Sequence, residues 1–207
     1  MSELSERMRG SLLGLAAGDA VGTSVEFARR GSFTPLTGMT GGGPFHLKPG
    51  QWTDDTSMAL CLASSLVERR GFDARDQMER YWDWYRNGTF SSTGRCFDIG
   101  GTTLQALQRY KETGEPISGS TDPYSAGNGS IMRLAPVALA YYPEREEIWR
   151  YAAESSRTSG AYGSMTPNDA LRGATPSARP WPTRLSSSMM GRSGPASVCR
   201  ASSGTSR

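Results

Sequence analysis

The chain has 207 residues, 36% of them hydrophobic, and a formal net charge of +3. That length fits one domain, or one domain with an appendage. The positive charge belongs to one end: residues 158–207 carry six Arg against a single acid, Asp169, whereas residues 1–157 carry 17 bases against 19 acids. Arg scattered among Ser and Pro is not the ordered basic face with interleaved aromatics that reads nucleic acid. Three cysteines, Cys61, Cys96 and Cys199, lack CxxC spacing, which argues against a disulfide framework or a Cys-type zinc site and fits a reduced, cytoplasmic setting.

Residues 4–17 place Met8, Leu12, Leu13, Leu15 and Ala16 at helical spacing. This acid-led start with its short apolar stretch reads as a first helix, not as a leader peptide or a membrane span. Gly18-Asp19-Ala20-Val21-Gly22 reads as the turn that ends it, with Glu26-Phe27 beyond. Residues 29–52 are rich in Gly and Pro and read as loop. Residues 54–70 predict a strong helix with Met58, Cys61, Leu62, Ser65 and Leu66 on one face, stopped by Gly71. Residues 73–86 predict the next helix, ended by Asn87-Gly88, with Trp82, Trp84 and Tyr85 assigned to the core. Further helices are predicted over 102–113, ending at Gly114, over 130–142, and over 144–156 after Pro143. No period-two strand is legible, so the body reads as all-α, with about six helices and long loops.

The chemistry concentrates in the loops. Thr53-Asp54-Asp55-Thr56 sets two adjacent carboxylates between two hydroxyls at a helix start. Thr53 and the two acids serve equally as an N-cap with first-turn charges or as hard oxygen ligands for a divalent cation. Cys96-Phe97-Asp98-Ile99-Gly100-Gly101 and Gly127-Asn128-Gly129-Ser130-Ile131-Met132-Arg133 are glycine-rich turns into helices. Such turns offer free backbone N–H groups to anions such as phosphates, and they are also ordinary caps. His46 is the single histidine and lies in the Gly-rich loop, which excludes a histidine triad or a His-rich metal site elsewhere.

Taken in order, these segments resemble the ADP-ribosylglycohydrolase family. The likeness is nearest to the bacterial branch that includes the dinitrogenase-reductase-activating glycohydrolase. It rests on Gly14 to Gly22 with Glu26-Phe27, on Trp52-Thr53-Asp54-Asp55-Thr56-Ser57-Met58-Ala59, on Ser91 to Gly100, and on Gly127 to Arg133. The resemblance implies an all-α fold with two Mg²⁺ or Mn²⁺ ions in a cleft. It also implies hydrolysis of the N-glycosidic bond between ADP-ribose and a protein side chain, typically arginine. Thr53, Asp54, Asp55 and Glu26 would be metal ligands. Glu26 would also position the ribose or the attacking water, and Asp98 would sit beside the scissile ribose as base or orienting group. Gly100, Gly127, Asn128, Gly129, Ser130, Met132 and Arg133 would bind substrate. Asp19 would stand behind the metal ligands or cap the turn after the first helix. The expected partner is an ADP-ribosylated protein or an ADP-ribose-containing small molecule. Neither nucleic acid nor membrane is expected, and the family's usual state would be a monomer.

The likeness covers about residues 8–157 and is lost beyond Ser155-Ser156-Arg157-Thr158. Ser159 stands where the family carries a histidine, and no Asp-x-Asp motif follows. The division expected is a partial family domain over 1–157 and a low-complexity tail over 158–207. The tail reads as a frameshifted or truncated ending, or as natural disorder. This chain would then hold at most one ion, weakly, with weak or absent turnover. The second reading is an ADP-ribose-binding pseudoenzyme. Loss of covering helices would leave Leu134, Val137 and Leu139 exposed.

Overall fold

The computed structural model describes residues 2–125 and 127–160. Six α-helices carry the fold: α1 (Glu3–Gly22), α2 (Asp54–Arg69), α3 (Ala74–Asn87), α4 (Gly101–Thr113), α5 (Ala135–Tyr141) and α6 (Arg145–Ser159). Among the described residues there is no β-strand; an isolated bridge joins Gly42 and Leu47. No described helix is long and apolar enough to cross a membrane.

Local sequence explains most boundaries. Ser2 caps α1 by accepting from the Ser5 N–H, and Glu3 and Glu6 complement the positive end of its dipole. Asp73 caps α3 through the N–H groups of Arg75 and Asp76, and Gly88 ends it in the left-handed region. Gly114 does the same for α4. In α5, Pro136 occupies the first turn, where its missing N–H costs no hydrogen bond.

Three expectations need correction. First, the Gly18–Gly22 segment is not a turn; it is the last part of α1 and carries Asp19 on helix. Second, α2 is stopped one residue earlier than Gly71, by Arg70 in the left-handed region at φ 56°. Third, the helix expected over 130–142 is a short 3₁₀ turn, Asn128–Ser130, followed by α5. Pro136 explains the break: it has no N–H to donate to the Met132 carbonyl, and its ring would clash with that carbonyl in a continuous helix.

Helix α2 is the central element and packs on α1, α3 and α5. One side of it, with Met58 and Cys61, joins Met78, Tyr81 and Trp84 of α3 and Leu107 and Tyr110 of α4. The other side, with Leu62 and Leu66, meets Val137, Ala140 and Tyr141 of α5. Each such large apolar side chain contributes roughly 1.5–3 kcal/mol when fully buried. Trp84 is core as expected, while Trp82 and Tyr85 are half-buried against it. The expected exposure of Leu134 and Val137 is overturned: Val137 is fully buried and Leu134 packs beside it. Exposed apolar surface lies instead on Leu13 of α1, on Ile131 and on Trp149 of α6. Helix α1 buries only Ala20 fully; of its predicted apolar face Met8, Leu12, Leu15 and Ala16 are half-buried and Leu13 is exposed.

Arg69, Arg80, Asp76 and Glu68 lace the end of α2 to the start of α3. Arg80 Nε donates to Asp76 at 2.6 Å, its Nη2 donates to Glu68 at 2.8 Å, and Arg69 Nη2 pairs with Asp76 at 2.8 Å. This fixes the outer end of α2 and leaves its N-terminus facing the opposite side, where the loops converge.

Candidate active site

The N-terminus of α2 forms one wall of a cleft of about 620 Å³, a volume ordinary for a small-molecule site. Thr53, Asp54 and Asp55 line it. The end of α1 and the turn after it contribute Asp19, Thr23, Glu26 and Phe27. The loop before α4 and its first turn add Asp98 to Thr103, and Gly127, Asn128, Gly129, Met132, Ser159 and Gly160 complete the lining. Among the described residues the lining thus holds five carboxylates (Asp19, Glu26, Asp54, Asp55 and Asp98) and no Lys, Arg or His.

That imbalance is felt by the acids. Burial pushes the Asp54 carboxyl up to about 8, reinforced by the negative charges of Asp98, Asp55 and Asp19. Burial raises Asp55 to about 6, with Asp19 and Glu26 adding to it. Asp98 is likewise raised to about 6, by burial and then by Glu26, Asp55 and Asp19. Cys96, half-buried behind the cleft, is pushed up to about 12 by burial and by Asp54.

Asp19 has a defined structural task. Its carboxylate accepts from the Thr53 N–H at 3.0 Å, the Thr53 hydroxyl at 2.9 Å, the Thr56 N–H at 3.1 Å and the Thr56 hydroxyl at 2.7 Å. It therefore caps α2 from another helix, rather than capping the turn after α1. Thr53 is the N-cap residue by backbone, but its hydroxyl makes no capping bond within α2. By donating to Asp19, that hydroxyl keeps its acceptor lone pairs free.

The structure brings Glu26, Thr53, Asp54, Asp55, Asp98, Gly100, Gly127, Asn128, Gly129 and Met132 together in the lining. Two predicted substrate-binding residues stand elsewhere. Ser130 is not in the lining and packs beside Gly160. Arg133 is fully buried: its Nη2 donates to the Ser155 carbonyl at 3.2 Å, and its guanidinium lies 4.7 Å from the Tyr81 ring centre. Its Nε has no partner, and burial lowers its pKa. Arg133 therefore braces α6 against α3, and it is not among the residues that line the cleft. Gly129 has a steric reason, since a Cβ there would meet the Thr103 hydroxyl at 2.8 Å.

Phe27, Thr102, Thr103, Ser159 and Gly160 also line the cleft, unforeseen from sequence. Phe27 had a signal in its place beside Glu26, and Ser159 in standing where the family carries a histidine. The hydroxyls of Thr53 and Thr56, three residues apart, were a readable hint of a shared acceptor, which Asp19 supplies.

The fold and the site define an all-α domain with an acid-lined cleft. The chain belongs to the ADP-ribosylglycohydrolase family, whose model matches residues 1–165. It is 46% identical over 160 residues to the ADP-ribosylarginine hydrolase Tri1 of Serratia proteamaculans (strain 568), covering 77% of this chain and 43% of that protein. It is 40% identical over 153 residues to the ADP-ribosyl-[dinitrogen reductase] glycohydrolase of Rhodospirillum rubrum, covering 70% of this chain and 48% of that one. A solved structure described as an ADP-ribosylglycohydrolase-related protein complex matches with a TM-score of 0.63 at 46% identity, covering 83% of this chain and 53% of that chain. The chain thus spans about half the length of these relatives. The tail expected over 158–207 lies, from residue 161 on, outside the described residues.

Proposed function

We propose that this cleft binds ADP-ribose joined to an arginine side chain and promotes hydrolysis of the N-glycosidic bond, with a divalent cation as cofactor. The observation that carries this reading is the lining itself: five carboxylates and, among the described residues, no basic side chain. Like charges at a partly buried site call for a cation to offset them. The donors are hard oxygens, which fit Mg²⁺ or Mn²⁺ and not a thiolate- or imidazole-seeking metal. Among the described residues, no three His, Cys, Asp or Glu side chains form a ready metal-holding group. The fit is thus one of chemistry, with Thr53, Asp54, Asp55 and Glu26 as the residues that would hold the ion. When bound, such an ion supplies positive charge and makes water more acidic.

The chain's own residues do the rest. Asp19 holds Thr53 and Thr56 in place. Asp98 offers a carboxylate oxygen to take a proton from the attacking water, and Glu26 orients that water or the ribose. The amides of Gly127 to Gly129 and the start of α4, whose N-cap Gly100 makes no side-chain cap, are donors for the diphosphate. The names of the relatives support the arginine linkage.

The test is release of ADP-ribose from an ADP-ribosylated arginine peptide. Weak, Mg²⁺-dependent release that EDTA and Asp54→Ala abolish is expected. Release that is indifferent to both would refute the assigned role of the acids. A second reading, binding of ADP-ribose without turnover, is favoured by the Gly127–Gly129 stretch, which brings to the cleft backbone donors that need no cation. It predicts ADP-ribose binding that is the same in Mg²⁺ and in EDTA, with no release.

A further inference from the structure

Phe27 is a large apolar side chain that is 77% exposed, yet it lines the cleft beside Glu26. Its backbone sits at φ 61°, a region that bulky residues rarely adopt. Packing returns little to so exposed a ring. The strain is held by neighbours: Phe45 meets the ring edge-on, with centroids 6.3 Å apart and planes at 71°. Phe45 in turn leans on Phe97 at 5.3 Å. Phe97 precedes Asp98, which is also held at positive φ, 59°. A rib of three rings therefore joins the backbone beside Glu26 to the backbone beside Asp98, and presents one ring to the cleft.

We propose that Phe27, braced by Phe45 and Phe97, is the platform on which the guanidinium of the modified arginine stacks. This specificity-determining role rests on the ADP-ribosylarginine reading above. A guanidinium is planar and delocalised, and it is weakly hydrated, so it stacks on an aromatic face better than a compact ammonium does. The surrounding carboxylates complement its charge. The exposed ring and the acid lining together select a flat cation and disfavour a lysine-linked or hydroxyl-linked substrate.

The experiment is calorimetric titration of two probes, ADP-ribose and ADP-ribosyl-agmatine, into the chain and its variants at fixed Mg²⁺. Phe27→Leu is expected to weaken the agmatine conjugate by roughly threefold to thirtyfold, the range of a cation–π contact, and to leave ADP-ribose within about twofold. Phe27→Tyr is expected to keep both affinities. Equal weakening of the two probes by Phe27→Leu, or none, overturns the platform alone. Failure of the unaltered chain to bind either probe overturns the ADP-ribose reading and the platform with it. Phe27→Gly separates function from folding, because glycine relieves the positive φ. It is expected to melt no lower than the parent while losing the conjugate selectively. A lower melting temperature with parallel loss of both probes would show that the ring serves only the fold.

Discussion

Replacement of Asp19 by Ala tests how the acid wall is built. The carboxylate accepts four hydrogen bonds from the first turn of α2, two from N–H groups and two from hydroxyls. A bond to a charged acceptor contributes roughly 1.5–3 kcal/mol. The four are not additive, because the cleft admits water to the freed donors. Loss of an N-cap alone costs about 0.5–2 kcal/mol. Against this, removing one negative charge relieves Asp54, Asp55 and Asp98, each of which feels Asp19. The balance is a loss of about 2–3 kcal/mol, with Asp19→Asn losing less because one acceptor oxygen remains. Urea unfolding followed by circular dichroism measures it. A loss below about 0.5 kcal/mol for Asp19→Ala would refute the claim that this carboxylate, and not a cap within α2, fixes the helix start.

Arg70, exposed and at φ 56° after α2, is expected to gain about 1 kcal/mol when changed to Gly; a lower denaturation midpoint would contradict this. Gly88→Ala is expected to cost more than about 2 kcal/mol, since the new Cβ would be driven into the Gly94 carbonyl at a positive φ; an unchanged melting temperature would contradict it. Burial would raise the Asp76 pKa, but hydrogen bonds from Arg80, Ser65 and Arg69 outweigh it and lower it below the ordinary 3.8. Glu68 is lowered from 4.5, chiefly by its hydrogen bond from Arg80. Both acids therefore stabilise the fold above these ordinary values, and that contribution fades as pH falls through their lower folded values. Asp76→Asn should flatten the stability profile below about pH 4; the parent's slope persisting in the variant would count against it.

The helices were legible where pattern and punctuation agreed. In α3, Asp73 and Asn87-Gly88 mark both ends, and the structure places the boundaries there within a residue. Where local and tertiary demands differ, the sequence misleads. Gly18 and Gly22 look like breakers, yet α1 runs through them, because Asp19 must reach the first turn of α2. The grouping of Thr53, Asp54, Asp55, Glu26 and Asp98 in one cleft followed from a family pattern, since no local spacing brings residue 26 to residue 98. Arg133 belonged to a motif whose other members face the cleft, but one turn of chain carries its side chain into the core. The rib of Phe27, Phe45 and Phe97 joins three separate loops, and only folding reveals it.

On the proposed function the acid cleft takes a divalent cation and, with it, ADP-ribose. Isothermal titration of ADP-ribose into the unaltered chain, once in Mg²⁺ and once in EDTA, tests it most directly. Saturable binding in Mg²⁺ that weakens at least tenfold in EDTA is expected. Absence of binding in both, or equal binding in both, would contradict it.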